Sequence, residues 1–242
     1  INNVEWVVST AQEDYLIASP LGNKFDGAGS NDELLGNINS DEFIGGTGDD
    51  KIFGKGGNDI LLGGNGNDTI VGGPGADSLT GGSGNDTYRF NEDDVEAGEF
   101  IAEIPSGGTD VISIITSTNF QNMSPASFDE IEKIEFAGSN QTAIFSNWQL
   151  SDETLLLTET EEATASNLLI NMGAGGTASF TGITDDRSHD NGADSLTING
   201  ATGNETITGP NISSTILGST GDDTIIGGTK ADIINGGDGA DT

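Results

Sequence analysis

Between Gly27 and Arg89 the apolar positions of the chain recur every nine residues. Leu34, Phe43, Ile52, Leu61, Ile70, Leu79 and Tyr88 each take the eighth place of a unit that opens on glycine. A period of nine fits neither the 3.6-residue turn of an amphipathic helix nor a long alternating strand. It fits a three-residue strand with one inward side chain, followed by a turn that reverses the chain. Two units then make an eighteen-residue coil. Coils stacked about 4.8 Å apart form two parallel sheets with the eighth-place side chains between them. The seven units predict a roll of three and a half coils.

The turns carry the chemistry. In GGTGDDKIF (45–53), GGNGNDTIV (63–71), GGPGADSLT (72–80) and GGSGNDTYR (81–89), glycine at the first, second and fourth places permits positive φ, so backbone carbonyls can converge. The sixth place adds a carboxylate in every unit: Asp32, Asp41, Asp50, Asp59, Asp68, Asp77 and Asp86. An all-oxygen donor set with many carbonyls suits calcium, which takes about six to eight oxygens, better than magnesium or a transition metal. One inward apolar side chain per nine ordered residues offsets little chain entropy, so folding is expected to be coupled to the metal.

A second, eroded tract runs from Gly200 to the C-terminus through GSTGDDTII (218–226), GGTKADIIN (227–235) and GGDGADT. Its sixth places supply Asp223, Asp232 and Asp241, whereas Glu205 and Ser214 stand where aspartate is expected and Pro210 replaces a glycine. In the first tract Ser30 and Asn39 replace the fourth-place glycine, which predicts weak first sites. The stretch 91–199 has no nonads but carries the apolar runs FIAEI, DVISII, EIEKIEF, TAIF, TLLLT, NLLINM and ASFTGI, which read as strands. A short helix is predicted around Ser124–Lys133, in competition with a strand through IEKIEF. The expected organisation is a strand and entry segment (1–18), a calcium roll (19–90), a β-rich solenoid stretch whose coils have lost the ion sites (91–199), with a separate β-sandwich as the alternative there, and a second, truncated roll (200–242).

Charge narrows the partners. The 40 acidic against 7 basic residues give a formal charge of -33, which opposes compaction unless counter-ions bind. About six calcium ions at two charges each would leave a net charge of roughly -21, so the surface stays acidic. With no basic stripe, nucleic acid is excluded. No apolar run is long enough for a transmembrane helix. No cysteine is present, which makes metal rather than sulfur the expected staple. The chain starts at INNVEWVV and ends inside a unit, as a fragment of something longer would; Thr242 joined to Ile1 would give the unit GGDGADTIN of a tandem array.

Seven consecutive nonads in register resemble the RTX (repeats in toxin) family, strongly over 27–89 and moderately over 200–242. The resemblance implies an all-β fold, a right-handed parallel β-roll or β-solenoid with calcium-binding nonapeptide turns. It also implies type I secretion in an unfolded form and folding on extracellular calcium. The stretches between the tracts resemble the degenerate solenoids of bacterial surface-layer proteins and giant adhesins.

Catalytic candidates are few. His189 is the single histidine and sits in DDRSHDNGAD, where it reads as a polar loop residue rather than a general base. Asp186, Asp190 and Asp194 nearby are spaced unlike an EF-hand. No HExxH or GxSxG motif occurs, so the chain is expected not to be an enzyme. Trp6 and Trp148 read as core side chains in preference to a glycan platform. The expectation is a calcium-binding structural segment of a secreted bacterial surface protein (surface layer, filament or adhesin). Its expected partners are copies of itself or neighbouring domains, bridged through calcium. The alternatives are a secretion and folding module of an exported hydrolase or toxin, and a ligand-binding adhesin domain.

Overall fold

The computed structural model describes residues 6–105, 107–160, 165–186 and 194–242. Its regular structure is nearly all strand, and the strands pair in parallel, as the nonad period requires. The chain divides into two units, Ile1–Ser113 with Asn122–Glu132, and Ile114–Gln121 with Lys133–Thr242.

In the first unit successive strands alternate between two sheets. One is ordered Trp6–Val8, Lys24–Asp26, Glu42–Thr47, Ile60–Asn65, Ser78–Ser83 and Phe100–Ile101; the other runs through Tyr15–Ile17, Glu33–Leu35, Lys51–Phe53, Thr69–Val71 and Thr87–Phe90. Leu34 pairs with Ile52, Ile52 with Ile70 and Ile70 with Tyr88, while Phe25, Phe43, Leu61 and Leu79 form the matching column opposite. The coil is therefore eighteen residues long. Every eighth-place side chain is buried, each stabilising the roll by about 1.5–3 kcal/mol. The Phe25 and Phe43 rings stack at 5.0 Å.

The same register reaches back past the first nonad, since Val7 pairs with Phe25 and Leu16 with Leu34. From Trp6 onwards the expected entry segment is thus a coil of the roll's own period. Parallel pairing asks only for an inward apolar residue at the right spacing, and the turn glycines are dispensable for it.

After Tyr88 the coils lengthen. Ile101 pairs with Leu79, and the loop after the strand Thr118–Asn119 contains a 3₁₀ turn, Pro125–Ser127, where a helix around Ser124–Lys133 was one expectation. A longer helix is incompatible with Glu130, which takes a left-handed conformation (φ 63°), and the strand Lys133–Phe136 then buries Ile134 and Phe136 on one face.

In the second unit, Lys133–Phe136, Leu155–Glu159 and Ile183–Asp185 form one parallel set. Thr118–Asn119, Thr142–Ser146, Asn167–Asn171, Ser195–Asn199, Thr215–Leu217 and Ile233–Asn235 form a six-stranded sheet. Thr177–Ser179, Thr206–Thr208 and Thr224–Ile226 form a third. Each apolar run marked between 91 and 199 carries a strand. Coils here span 23 to 29 residues, and the eighteen-residue register returns where Thr197 pairs with Thr215. The longer coils leave room for an unanticipated helix, Asn147–Leu150. Its Gln149 side chain accepts the Ser146 N–H at 2.7 Å and donates to the Phe120 carbonyl at 2.7 Å.

Candidate metal centre

Each sixth-place aspartate stands one residue before its strand, at the rim where turn meets sheet. In Asp32, Asp50, Asp59, Asp68, Asp77 and Asp86 the two carboxylate oxygens do different things. One oxygen holds the stack: Oδ1 of Asp50 accepts the Asp32 backbone N–H at 2.7 Å, Oδ1 of Asp68 that of Asp50 at 2.7 Å, and Oδ1 of Asp86 that of Asp68 at 2.7 Å. Asp59 and Asp77 repeat the bond on the opposite rim, to Asp41 and Asp59 at 2.8 Å. The other oxygen, Oδ2, is buried and has no hydrogen-bond partner in any of the six.

A buried, unpartnered carboxylate oxygen is costly. Its surroundings show what would satisfy it. Oδ2 of Asp68 lies 2.2 Å, and the carbonyl oxygen of Gly81 2.7 Å, from the point where a Cβ on Gly63 would stand; Asp50 Oδ2 and the Gly63 carbonyl oxygen do the same above Gly45. The first-place glycine is thus bare because oxygens crowd that point. Gly66 is required for a second reason: it has φ +132° and the Gly48 carbonyl oxygen is 2.0 Å from its missing Cβ position. Carboxylate and carbonyl oxygens without competing donors form a set that fits a hard divalent cation.

Departures from the pattern change this arrangement. Asn37, at a second place, donates its backbone N–H to Asp41 Oδ2 at 3.0 Å, and its side-chain amide reaches both Asp41 oxygens, so Asp41 has no free oxygen. Ser30 takes φ 76° in place of glycine, and Asp32 keeps its free Oδ2. In the second tract Asp223 is buried with Oδ2 free, Oδ2 of Asp232 accepts the Gly228 N–H at 2.9 Å, and Asp241 is exposed, with Oδ1 accepting the Asp223 N–H at 3.0 Å. Glu205 uses one oxygen on the Gly175 N–H at 2.6 Å and the other on the Ala201 N–H at 3.3 Å.

The columns also continue where no nonad marks them. Glu99 Oε2 accepts the Asp77 N–H at 2.9 Å, Asp110 Oδ1 that of Asp86 at 2.8 Å, and Glu132 Oε2 that of Asp110 at 2.7 Å. In the second unit Asp194 Oδ1 accepts the Ser166 N–H at 2.9 Å and keeps a buried, free Oδ2. Acidic rim positions therefore persist in the coils beyond residue 90, which carry no nonads. The legible signal was a carboxylate two residues before a buried apolar one, as in Glu99–Ile101, Asp110–Ile112, Glu132–Ile134 and Asp194–Leu196, which is the sixth-to-eighth-place relation without the full glycine set; Asp110 and Asp194 keep only the fourth-place glycine of that set, Gly108 and Gly192.

Electrostatics agree with a missing positive partner. Burial pushes the carboxyls of Asp50, Asp68 and Asp77 up to about 6 and those of Asp59, Asp86 and Asp110 up to about 7, against the lowering effect of the backbone N–H each accepts. Glu99, also with a free buried oxygen, is raised to about 9, first by burial and then by the neighbouring acids.

His189 and Asp190 lie outside the described residues, as do the first five residues that a tandem reading joins to Thr242. Asp186 is exposed. Trp6 and Trp148, expected in the core, are 64% and 46% exposed: Trp6 lies on a strand of the first coil with the Lys24 ammonium 5.4 Å from its ring, and Trp148 on the outer side of the short helix. Among the described residues no helix is long and apolar enough to cross a membrane.

The family model for the RTX calcium-binding nonapeptide repeat (4 copies) matches residues 26–61, 62–94 and 215–242. No curated protein and no solved structure matches the chain.

Proposed function

From a chain that carries RTX calcium-binding nonapeptide repeats, and so is a calcium-binding structural segment of a kind typical of secreted proteins, we propose a segment of a large bacterial surface protein, of a surface layer, filament or adhesin. In this reading it folds on meeting extracellular calcium and then associates with copies of itself or with neighbouring domains. It performs no catalysis. The ligands are the sixth-place aspartates, foremost Asp32, Asp50, Asp59, Asp68, Asp77, Asp86 and Asp223, which each keep an unengaged buried oxygen.

The observation that carries the proposal is that column of free, buried carboxylate oxygens, repeated coil after coil along one rigid register. Such a column is unfavourable without cations and self-supporting with them, which makes a rod that hardens only where calcium is plentiful. Association is supported by the excess of 40 acidic over 7 basic residues, a surface on which further calcium can bridge two like-charged bodies. Calcium titration followed by circular dichroism, with sedimentation and electron microscopy at saturation, tests both parts. The expected result is a disordered chain that becomes β-rich and then forms ordered assemblies. A β-rich chain in excess chelator at neutral pH would overturn coupled folding, and monomers at saturating calcium would overturn self-association.

A further inference from the structure

At the end of the first tract the repeating geometry runs out of repeats. Above Gly45 and Gly63 the space beside the aspartate Oδ2 is shared with a glycine carbonyl from the next coil. Above Gly81 the two nearest oxygens are both carboxylate: Asp86 Oδ2 lies 2.3 Å, and the Glu103 Oε1 oxygen 2.5 Å, from the missing Cβ position. A side chain from outside the nonads stands where the next turn's carbonyl would be.

Asp110 completes the group. One oxygen from each of Asp86, Glu103 and Asp110 lies within 4.8 Å of the others, and Asp86 and Asp110 are almost wholly buried. Glu103 is held in place by its neighbours: Oε1 accepts the Tyr88 hydroxyl and the Gly81 N–H (3.2 Å), and Oε2 accepts the N–H groups of Gly82 and Ile104 (3.3 Å each). Asp110 Oδ1 is taken by the Asp86 N–H. Asp86 Oδ2, on a residue with no exposed surface, has no partner at all. Among the described residues no basic side chain pairs with any of the three; the ion pairs found are Lys24–Glu42 and Lys133–Glu135. Three converging carboxylates with an orphaned oxygen need a cation between them.

We propose that Asp86, Glu103 and Asp110 form a calcium site that closes the nonapeptide tract, in which two carboxylates from outside the repeats join the last sixth-place aspartate. The proposal rests on the calcium-binding reading of the tract and adds a site that the nonad pattern does not contain. Because three carboxylates contribute where an interior site is flanked by two sixth-place aspartates, this position binds calcium more tightly than the interior ones and gives it up last.

The test is isothermal calorimetry with calcium on the whole chain and on Glu103→Gln and Asp110→Asn, with bound calcium counted by equilibrium dialysis. Glutamine keeps an acceptor for Tyr88 and Gly81, and circular dichroism at saturating calcium verifies the fold. Each variant is expected to lose one ion from the tightest class, or to bind it at least tenfold more weakly, with the weaker class unchanged. Asp50→Asn should instead deplete the weaker class. If the wild type binds several ions and Glu103→Gln titrates identically, the closing site is wrong while the calcium reading stands; if the wild type binds none, the calcium reading itself fails. Should either variant not fold, terbium emission sensitised through Tyr88 decides. In the wild type it must rise with the first equivalent of ion and fall on Tyr88→Phe; emission unaffected by Tyr88→Phe would overturn the site.

Discussion

The two nonapeptide tracts share a coil length and differ in how many sixth-place side chains keep a buried oxygen to offer: six of seven in the first, Asp41 excepted, and Asp223 in the second. Asp68 in the first tract spends one oxygen on the backbone of the coil before it and keeps the other free. Glu205 in the second spends both, on Gly175 and Ala201. Asp232 spends its second oxygen on Gly228. Register survives in both tracts because it needs a single acceptor per coil. Ion binding needs the second oxygen, and it is lost first when the pattern erodes. Stacking and metal binding are thus separable tasks of one residue.

Chelation breaks the comparison most severely. With calcium removed at neutral pH, amide hydrogen exchange should show residues 27–89 losing nearly all protection, because six buried oxygens then face each other uncompensated. The stretch 200–235 should lose much less. Equal loss in both tracts would remove the distinction drawn between them.

A single atom sharpens it. Asp68→Asn keeps an oxygen for the Asp50 N–H and replaces the free carboxylate oxygen, so calcium affinity of the tract should fall at least tenfold, about 1.4 kcal/mol. Glu205→Gln should leave calcium binding unchanged and cost about 1 kcal/mol in thermal stability through one lost hydrogen bond. Calorimetry on the pair would refute the two-task view if the two variants lost calcium alike.

The smallest expected effect is on pH. The carboxyls of Asp50, Asp59, Asp68, Asp77 and Asp86 are raised to about 6 or 7 in the metal-free fold from an unfolded value of 3.8. Between those values the folded state binds more protons than the unfolded one, so metal-free stability declines as pH rises from about 4 to 7. Acidification in chelator should therefore restore some β structure to the first tract, and calcium affinity should weaken over the same window. Circular dichroism that is flat between pH 7 and 4 without calcium would contradict this.

Much of this was legible beforehand. Glycine at the first place, aspartate at the sixth and an apolar residue at the eighth are local requirements of one turn and one strand, so a nine-residue window displays them. Glu99, Asp110 and Glu132 fall outside the nine-residue pattern because their coils are longer and carry at most part of its glycine set, although each keeps a buried apolar residue two places on. Trp6 is exposed where the sequence suggests a core side chain because an aromatic residue in a short strand carries no sign of which sheet face it takes, and Trp148 is exposed because it stands on the outer side of a short helix rather than in a strand.

By itself the sequence determined the coil, the inward column and the cation class, since each follows from residue type at fixed spacing within nine residues. Only the tertiary structure decided which carboxylate oxygens remain free, because that depends on backbone N–H groups donated across coils. It also decided that Glu103 lies beside Asp86, because the loop between them folds back over Gly81 and Tyr88, and no period in the chain records that return.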